Sequence, residues 1–144
     1  MNDDQLTPKR LSAAPPDAHA DAPPAAHPAA HPASPKVSIS DCVLACQAAA
    51  GACAGCADVC ATHDPQNMAG CIRLSLDCAT LCRTTGDILT RGAIADRKAT
   101  KALLKACAML CAATATECET YPENEACRNC AEHCRACEAA CLNG

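Results

Sequence analysis

The chain has 144 residues, a formal net charge of −4, no Phe or Trp and a single Tyr. A folded core must therefore be built from small aliphatic side chains and from cysteine, because aromatic residues are almost absent. The charge and the lack of a cluster of Lys and Arg exclude a nucleic-acid-binding surface. No apolar run approaches about twenty residues, so we expect no membrane-spanning segment.

The N-terminal part of the chain is rich in Ala, Pro, His and Asp. Such a segment buries too little apolar surface to offset its ordering entropy, and it predicts a disordered tail over residues 1–36. The folded domain is then expected over residues 37–144. The start of the chain is acidic and has neither an apolar stretch nor a twin arginine. We therefore expect no export signal and a cytoplasmic location, where thiols stay reduced.

Helix start and stop signals predict four helices over the rest of the chain. Short connections between long helices place each helix antiparallel to its predecessor. The predicted fold is all-α, an antiparallel up-down-up-down four-helix bundle with a cysteine-lined core. The expected bounds are Ser38 or Ser40 to His63, Asp64–Pro65 to Arg91–Gly92, Ala95–Asp96 to the residue before Tyr121, and Pro122 to Gly144.

The sixteen cysteines are the dominant feature of the sequence. Within each predicted helix they recur at steps of three, four or seven residues, which at roughly 100° per residue confines them to one stripe. Such a stripe faces inward in a bundle. The candidate metal ligands are Cys42, Cys46, Cys53, Cys56, Cys60, Cys71, Cys78, Cys82, Cys107, Cys111, Cys118, Cys127, Cys130, Cys134, Cys137 and Cys141.

Neither ordinary packing nor disulfide bonding accounts for this pattern. One or two buried cysteines are common in a cytosolic helix, but sixteen on inward stripes are not. Thiols at i and i+4 on one helical face are poorly placed for disulfide geometry, and no secreted context is evident. The pattern therefore favours metal binding.

Cu(I) is the metal that the spacing favours. Residues at i and i+4 have Cβ atoms about 5 to 6 Å apart, so two sulfurs of one helix can flank one soft ion of low coordination number. Four Zn(II) ions on sixteen thiolates would leave about eight negative charges in the core. Roughly one Cu(I) per thiolate, on the order of fifteen ions per chain, leaves it nearly neutral. The pairs are Cys42/Cys46, Cys56/Cys60, Cys78/Cys82, Cys107/Cys111, Cys130/Cys134 and Cys137/Cys141.

The thiol stripes end differently at the two ends of the predicted bundle. His63 lies three residues after Cys60, and Met68 lies three residues before Cys71, so both are candidate copper ligands at one end. We expect copper to enter there. Leucines that continue the stripes would seal the opposite end: Leu89, Leu103 and Leu104.

Other residues lie off the stripes. His133 falls about 40° outside its stripe, at a seam between helices, and is either a seam histidine or an occasional nitrogen ligand. Ile72 and Leu76 also point away from the thiols, and exposed apolar surface of this kind suggests a homo-oligomer. A small-residue surface opposite the first helix's thiols would allow close approach of another helix: Ala48, Gly51, Ala52 and Gly55.

Residues 38–144 resemble the copper storage protein family, the cysteine-rich four-helix-bundle proteins of bacteria. The resemblance rests on CVLAC, CAGCADVC, CATLC, CAMLC and CRNCAEHCRAC. It implies a tetramer of bundles whose core thiolates hold many Cu(I) ions. Since the chain lacks a twin-arginine signal, it resembles the cytosolic branch of the family.

Together these observations predict a cytosolic Cu(I) storage protein and not an enzyme, since no Ser–His–Asp set or carboxylate pair is placed for catalysis. A copper chaperone is a candidate partner for delivery. One alternative is a general thiolate buffer for Zn(II) or other soft metals. Another is an iron–sulfur or thiol redox protein, although the fourth helix lacks the C-x2-C-x2-C-x3-C-P run of bacterial clusters.

Overall fold

The computed structural model describes residues 36–92 and 96–144. Those two ranges contain four α-helices and no strand: α1 (Ile39–His63), α2 (Ala69–Thr90), α3 (Arg97–Glu119) and α4 (Glu125–Asn143). The all-α prediction is therefore confirmed. The predicted disordered tail lies outside the described residues, apart from Lys36.

Helix α1 begins at a capping box. The backbone N–H of Asp41 donates to Ser38 Oγ at 3.2 Å, and the Asp41 carboxylate accepts from the backbone N–H of Ser38 at 2.9 Å. Two backbone donors at the helix start are satisfied in this way. Of the two predicted caps, Ser38 is the one used, and Ser40 lies inside the first turn.

The end of α2 and the start of α3 agree with the sequence signals. Gly92 follows α2 with a φ of 102°, in the left-handed region that glycine adopts without a Cβ clash. Asp96 caps α3, because its side chain accepts hydrogen bonds from the backbone N–H groups of Lys98 and Ala99.

The start of α2 lies later than predicted. Asp64 and Pro65 belong to a separate turn, in which the backbone N–H of Met68 donates to the carbonyl of Asp64 at 3.1 Å. The Asp64 side chain accepts from Asn67 at 3.3 Å within the same turn, so it does not cap α2. The helix begins only at Ala69, and its N-cap residue makes no side-chain capping bond.

The start of α4 also lies later than predicted, at Glu125 instead of near Pro122. Asn124 is the N-cap residue, and its Oδ1 accepts from the backbone N–H of Cys127 at 3.2 Å. An Asn side chain satisfies a free backbone donor, which proline cannot do, and the cap therefore decides where the helix starts.

Sulfur contacts give the direction of each helix. Along α2 and α3, and along α4 and α1, residue numbers rise on one helix as they fall on the other, so the helices of each pair are antiparallel. Contacts join α1 to α2, α2 to α3, α3 to α4 and α4 to α1, which closes the bundle. The contacts that set the register are Cys71–Cys118 and Cys82–Cys107 (both 3.7 Å), Cys60–Cys127 (3.7 Å) and Cys46–Cys141 (3.9 Å).

Helix α1 has the length and apolar composition of a membrane-spanning segment, with a mean hydropathy of 1.5 over its most apolar 18 residues. The expectation that no segment reaches this level is wrong for α1, because alanine and cysteine count as apolar although neither is bulky. In the bundle, 39% of that stretch is buried. The core helix of a soluble protein meets the same criterion, so the hydropathy of α1 is weak support for a membrane span.

Candidate metal centre

Every cysteine is a free thiol, and none is more than 4% exposed. The predicted cysteine-lined core is therefore present, and no disulfide bond forms among these sixteen residues. Most of the other buried core positions are alanine, which occupies little volume. Sulfur is thus the principal large atom in the interior.

The antiparallel register stacks the inward positions in six layers. Each of the first five has one residue from every helix, and the sixth is completed by Gly144, the residue that follows α4. Layer 1 lies at the turn between α1 and α2, and layer 6 lies at the opposite end. Layers 1 and 3 consist entirely of thiols. In the order α1, α2, α3, α4, the layers are Cys60, Cys71, Cys118, Cys127; Cys56, Ser75, Thr114, Cys130; Cys53, Cys78, Cys111, Cys134; Ala49, Cys82, Cys107, Cys137; Cys46, Thr85, Leu104, Cys141; and Cys42, Leu89, Thr100, Gly144.

Four groups of thiols have their sulfurs within 4.8 Å of one another. An ion about 2.3 Å from each sulfur, the zinc–thiolate distance, spans sulfurs up to about 4.6 Å apart, so these groups already have the spacing of metal sites. Cys107 and Cys137 each belong to two groups, so neighbouring groups share ligands. The groups are Cys46/Cys107/Cys137/Cys141, Cys56/Cys71/Cys118/Cys127, Cys82/Cys107/Cys111/Cys137 and Cys53/Cys78/Cys134.

Three cysteines lie outside these groups. Cys60 nevertheless contacts the sulfur of Cys127 at 3.7 Å, and Cys130 contacts that of Cys53 at 3.5 Å. Cys42 differs, since its thiol donates to the backbone carbonyl of Ala140 at 3.3 Å. It is the thiol least engaged with other sulfurs.

Burial makes the thiols at both ends of the core weak acids. Desolvation, reinforced by the hydrogen bond with Cys60, raises the pKa of Cys127 to about 12. Desolvation, followed by repulsion from Cys141, also raises the pKa of Cys42. Since a thiol binds metal as the thiolate, an ion that binds at these positions must displace a proton.

His63 and Met68 both lie at the layer-1 end, but in different settings. Met68 is buried, and its Sδ accepts from Asn124 Nδ2 at 3.9 Å. His63 is exposed and lines a surface groove between α1 and α4 together with Asn124 and Glu125. Asn124 therefore lies beside both residues.

Two of the three predicted leucines are buried at the layer-6 end. Leu89 and Leu104 are buried on the stripes, whereas Leu103 is only half-buried. His133 is half-buried at a seam, and its Nδ1 lies 2.9 Å from the carbonyl of Asn129. That nitrogen is engaged with the backbone of its own helix.

The cysteine spacing did not predict three buried hydroxyls on the thiol stripes. Ser75, Thr85 and Thr114 are each 0% exposed. The signal was available, since Ser75 lies four residues after Cys71 and three before Cys78 and so fills a gap in the stripe. Thr85 Oγ1 has no hydrogen-bond partner within the described ranges. The core is therefore less uniformly sulfur than the spacing suggested.

A family profile and several solved structures that are similar to this chain all describe copper storage proteins. The family profile described as copper storage protein (Csp) matches residues 36–143. A structure of a cytosolic copper storage protein from Streptomyces lividans with five coppers is 40% identical, covers 72% of this chain and 88% of that chain, and has a TM-score of 0.69. A structure of Ccsp from Streptomyces lividans loaded with 10 copper equivalents is 39% identical over 78% of this chain and 90% of that chain, with a TM-score of 0.70.

A third solved structure, Cu(I)-bound copper storage protein BsCsp3, is 29% identical over 73% of this chain and 96% of that chain, with a TM-score of 0.65. No curated protein sequence matches the chain. The profile match covers all four helices, and the structures that align with them have the same fold. The chain belongs to the copper storage protein family.

Proposed function

We propose that this protein stores Cu(I) in the cytosol, bound by the thiolates of the bundle core. The observation that carries the proposal is the buried array of sixteen free thiols, fifteen of which have another sulfur within 3.4 to 4.0 Å. A dry, closely spaced set of soft ligands suits a soft cation and keeps bound ions from water. Two relatives support many ions per chain, since one is described as a cytosolic protein with five coppers and the other as loaded with 10 copper equivalents.

The sharing of ligands favours Cu(I) over Zn(II). Zinc prefers four sulfurs of its own in a tetrahedron. Cys107 and Cys137 occur in two four-sulfur groups, so those two groups cannot both hold zinc without bridging sulfurs. Bridging thiolates of low-coordinate Cu(I) use shared sulfurs and also balance the charge of the core.

Storage also suits the chain better than catalysis does. The family is a storage family, and the thiols are many, buried and alike, so no single one is set apart as a nucleophile. A nucleophile needs access to its substrate, which a side chain at 0% exposure does not have. We therefore assign the cysteines a binding role.

An anaerobic Cu(I) titration of the reduced protein in competition with a chromogenic chelator tests the proposal. We expect saturation near one Cu(I) per cysteine, on the order of fifteen ions per chain. A parallel Zn(II) titration should saturate at about four ions or fewer, because zinc uses about four thiolates each. Saturation with one or two Cu(I) ions, or a preparation that contains iron, would overturn the storage function.

A further inference from the structure

The sulfur contacts of the core form two separate groups. Within the described residues, every sulfur–sulfur contact of 4.0 Å or less joins two members of the same group. The outer group lies in layers 1 and 2 and consists of Cys56, Cys60, Cys71, Cys118 and Cys127. The inner group consists of Cys46, Cys53, Cys78, Cys82, Cys107, Cys111, Cys130, Cys134, Cys137 and Cys141.

The division falls in layer 2, where two of the four side chains are hydroxyls. Ser75 and Thr114 are both 0% exposed, and Thr114 Oγ1 reaches the backbone carbonyl of Leu74 at 3.4 Å. Ser75 Oγ lies 3.9 Å from the sulfur of Cys71 and 4.0 Å from that of Cys130. A hydroxyl thus stands between the two groups where a thiol would have linked them.

The two thiols of layer 2 contact sulfurs in different neighbouring layers. Cys56 contacts sulfurs of layer 1, including Cys71 at 3.7 Å, whereas Cys130 contacts Cys53 of layer 3 at 3.5 Å. Cys130 is also the neighbour that most strongly raises the pKa of Cys118, so these side chains interact across the division. Cys130 of α4 also interacts with Cys56 of α1, so the remaining path between the groups runs through Cys130.

A neutral hydroxyl is a poor substitute for a thiolate toward Cu(I). Soft cations select soft thiolate ligands, and a Ser or Thr oxygen is hard and keeps its proton near neutral pH. An ion passing from layer 1 to layer 3 along α2 and α3 would meet two such oxygens and lose its sulfur ligands. Along α1 and α4 it can move from one thiolate to the next.

We propose that the hydroxyl layer formed by Ser75 and Thr114 divides the stored copper into an outer pool of five thiols and an inner pool of ten, joined through Cys130, which interacts with Cys56 and Cys118 of the outer pool. This inference rests on the proposed storage function. It assigns Ser75 and Thr114 a positioning role, because they are not ligands but determine where bridging thiolates stop.

Removal of copper from the fully loaded protein tests the division. Under anaerobic conditions, a Cu(I)-specific chromogenic chelator in excess should withdraw copper in two phases, with amplitudes of about one to two. The Ser75→Cys variant places a thiol between Cys71 and Cys130, and we expect the two phases to merge. Ser75→Ala, which removes the hydroxyl without adding a ligand, should keep both phases.

Native mass spectrometry during loading gives a second readout. The wild-type chain and Ser75→Ala should accumulate a species in which one pool is filled, and Ser75→Cys should lose that species. Thr114→Cys adds a thiol to the same layer from α3 and serves if Ser75→Cys fails to fold. A single phase in the wild type, two phases in both cysteine variants, or merged phases in Ser75→Ala would each overturn the division while leaving high capacity intact. Loss of capacity in the wild type would instead overturn storage.

Discussion

Cys42 shows at the residue scale that position on a thiol stripe does not guarantee contact with other sulfurs. It lies in layer 6, beside leucine and threonine, and its thiol hydrogen-bonds to a backbone carbonyl. Cys107, by contrast, belongs to two four-sulfur groups. Both residues are fully buried, so exposure alone does not distinguish them.

We therefore expect Cys42→Ser to lower the Cu(I) capacity by about one ion or less, because its sulfur is not shared between sites. Cys107→Ser should lower the capacity by two or more, since two groups lose the same bridging ligand. Titration of both variants against the chelator measures the difference. Equal losses would show that the grouping of sulfurs in the metal-free bundle does not govern loading.

The His63 and Met68 side chains define a proposed copper entrance at layer 1. We expect His63→Ala and Met68→Ala together to slow copper uptake from a Cu(I) donor at least about tenfold, equivalent to about 1.4 kcal/mol, with little change in capacity. Matched controls are His133→Ala, whose ring is engaged with Asn129, and the exposed Met109→Ala. Uptake as fast as in the wild type, measured by stopped flow, would rule out this entrance.

At the scale of a single helix, local hydrogen bonds decide where each element begins. Ser38 starts α1 because it and Asp41 cap each other. The Asp64–Pro65 signal instead forms a separate turn before α2, and Asn124 starts α4 in place of Pro122. Where two possible N-cap residues lie a few residues apart, the helix starts at the one whose side chain accepts from a free backbone N–H of the first turn.

The capping box gives a direct measurement at this scale. Ser38→Ala should lower the free energy of unfolding of the metal-free protein by about 1 kcal/mol, because the Asp41 backbone N–H loses its acceptor. Ser40→Ala, inside the first turn, is the matched control and should change stability by less than about 0.5 kcal/mol. Urea unfolding followed by circular dichroism compares the two. A larger effect of Ser40→Ala would contradict the assigned cap.

On the scale of the whole molecule, large apolar side chains are exposed on the outside of the bundle. Leu44 is 64% exposed and Leu76 is 53% exposed. A Cβ atom added to Gly51 or Gly55 would meet no other atom within 4 Å. Packing inside the chain therefore does not require glycine at these two helical positions. Since glycine in a helix is less stable than alanine, a second chain against this surface would explain both residues.

We propose that the chain assembles as a homotetramer, and we expect it to sediment with the mass of four chains. Leu76→Glu should shift the population toward smaller species if α2 contributes to the interface, because a charge buried between subunits is strongly unfavourable. Thr84→Glu, at another exposed position of α2, is the control. Analytical ultracentrifugation of the wild type as a monomer at micromolar concentration would reject the assembly.

Much of the architecture could be predicted from the sequence alone. The helical steps between cysteines require inward stripes, and Gly92 and Asp96 mark a helix end and a helix start by local chemistry. These features depend on interactions between residues close in the chain. For the same reason the four helices, their order and the family could be inferred before any coordinates.

Only the tertiary structure decided which thiols meet. Spacing gives a side chain's direction around its own helix, but the register between helices determines that Cys107 joins two groups while Cys42 joins none. The register also places Ser75 against Cys130, at the break in the sulfur contacts. Such contacts join residues up to 98 positions apart, and packing of the whole bundle sets them.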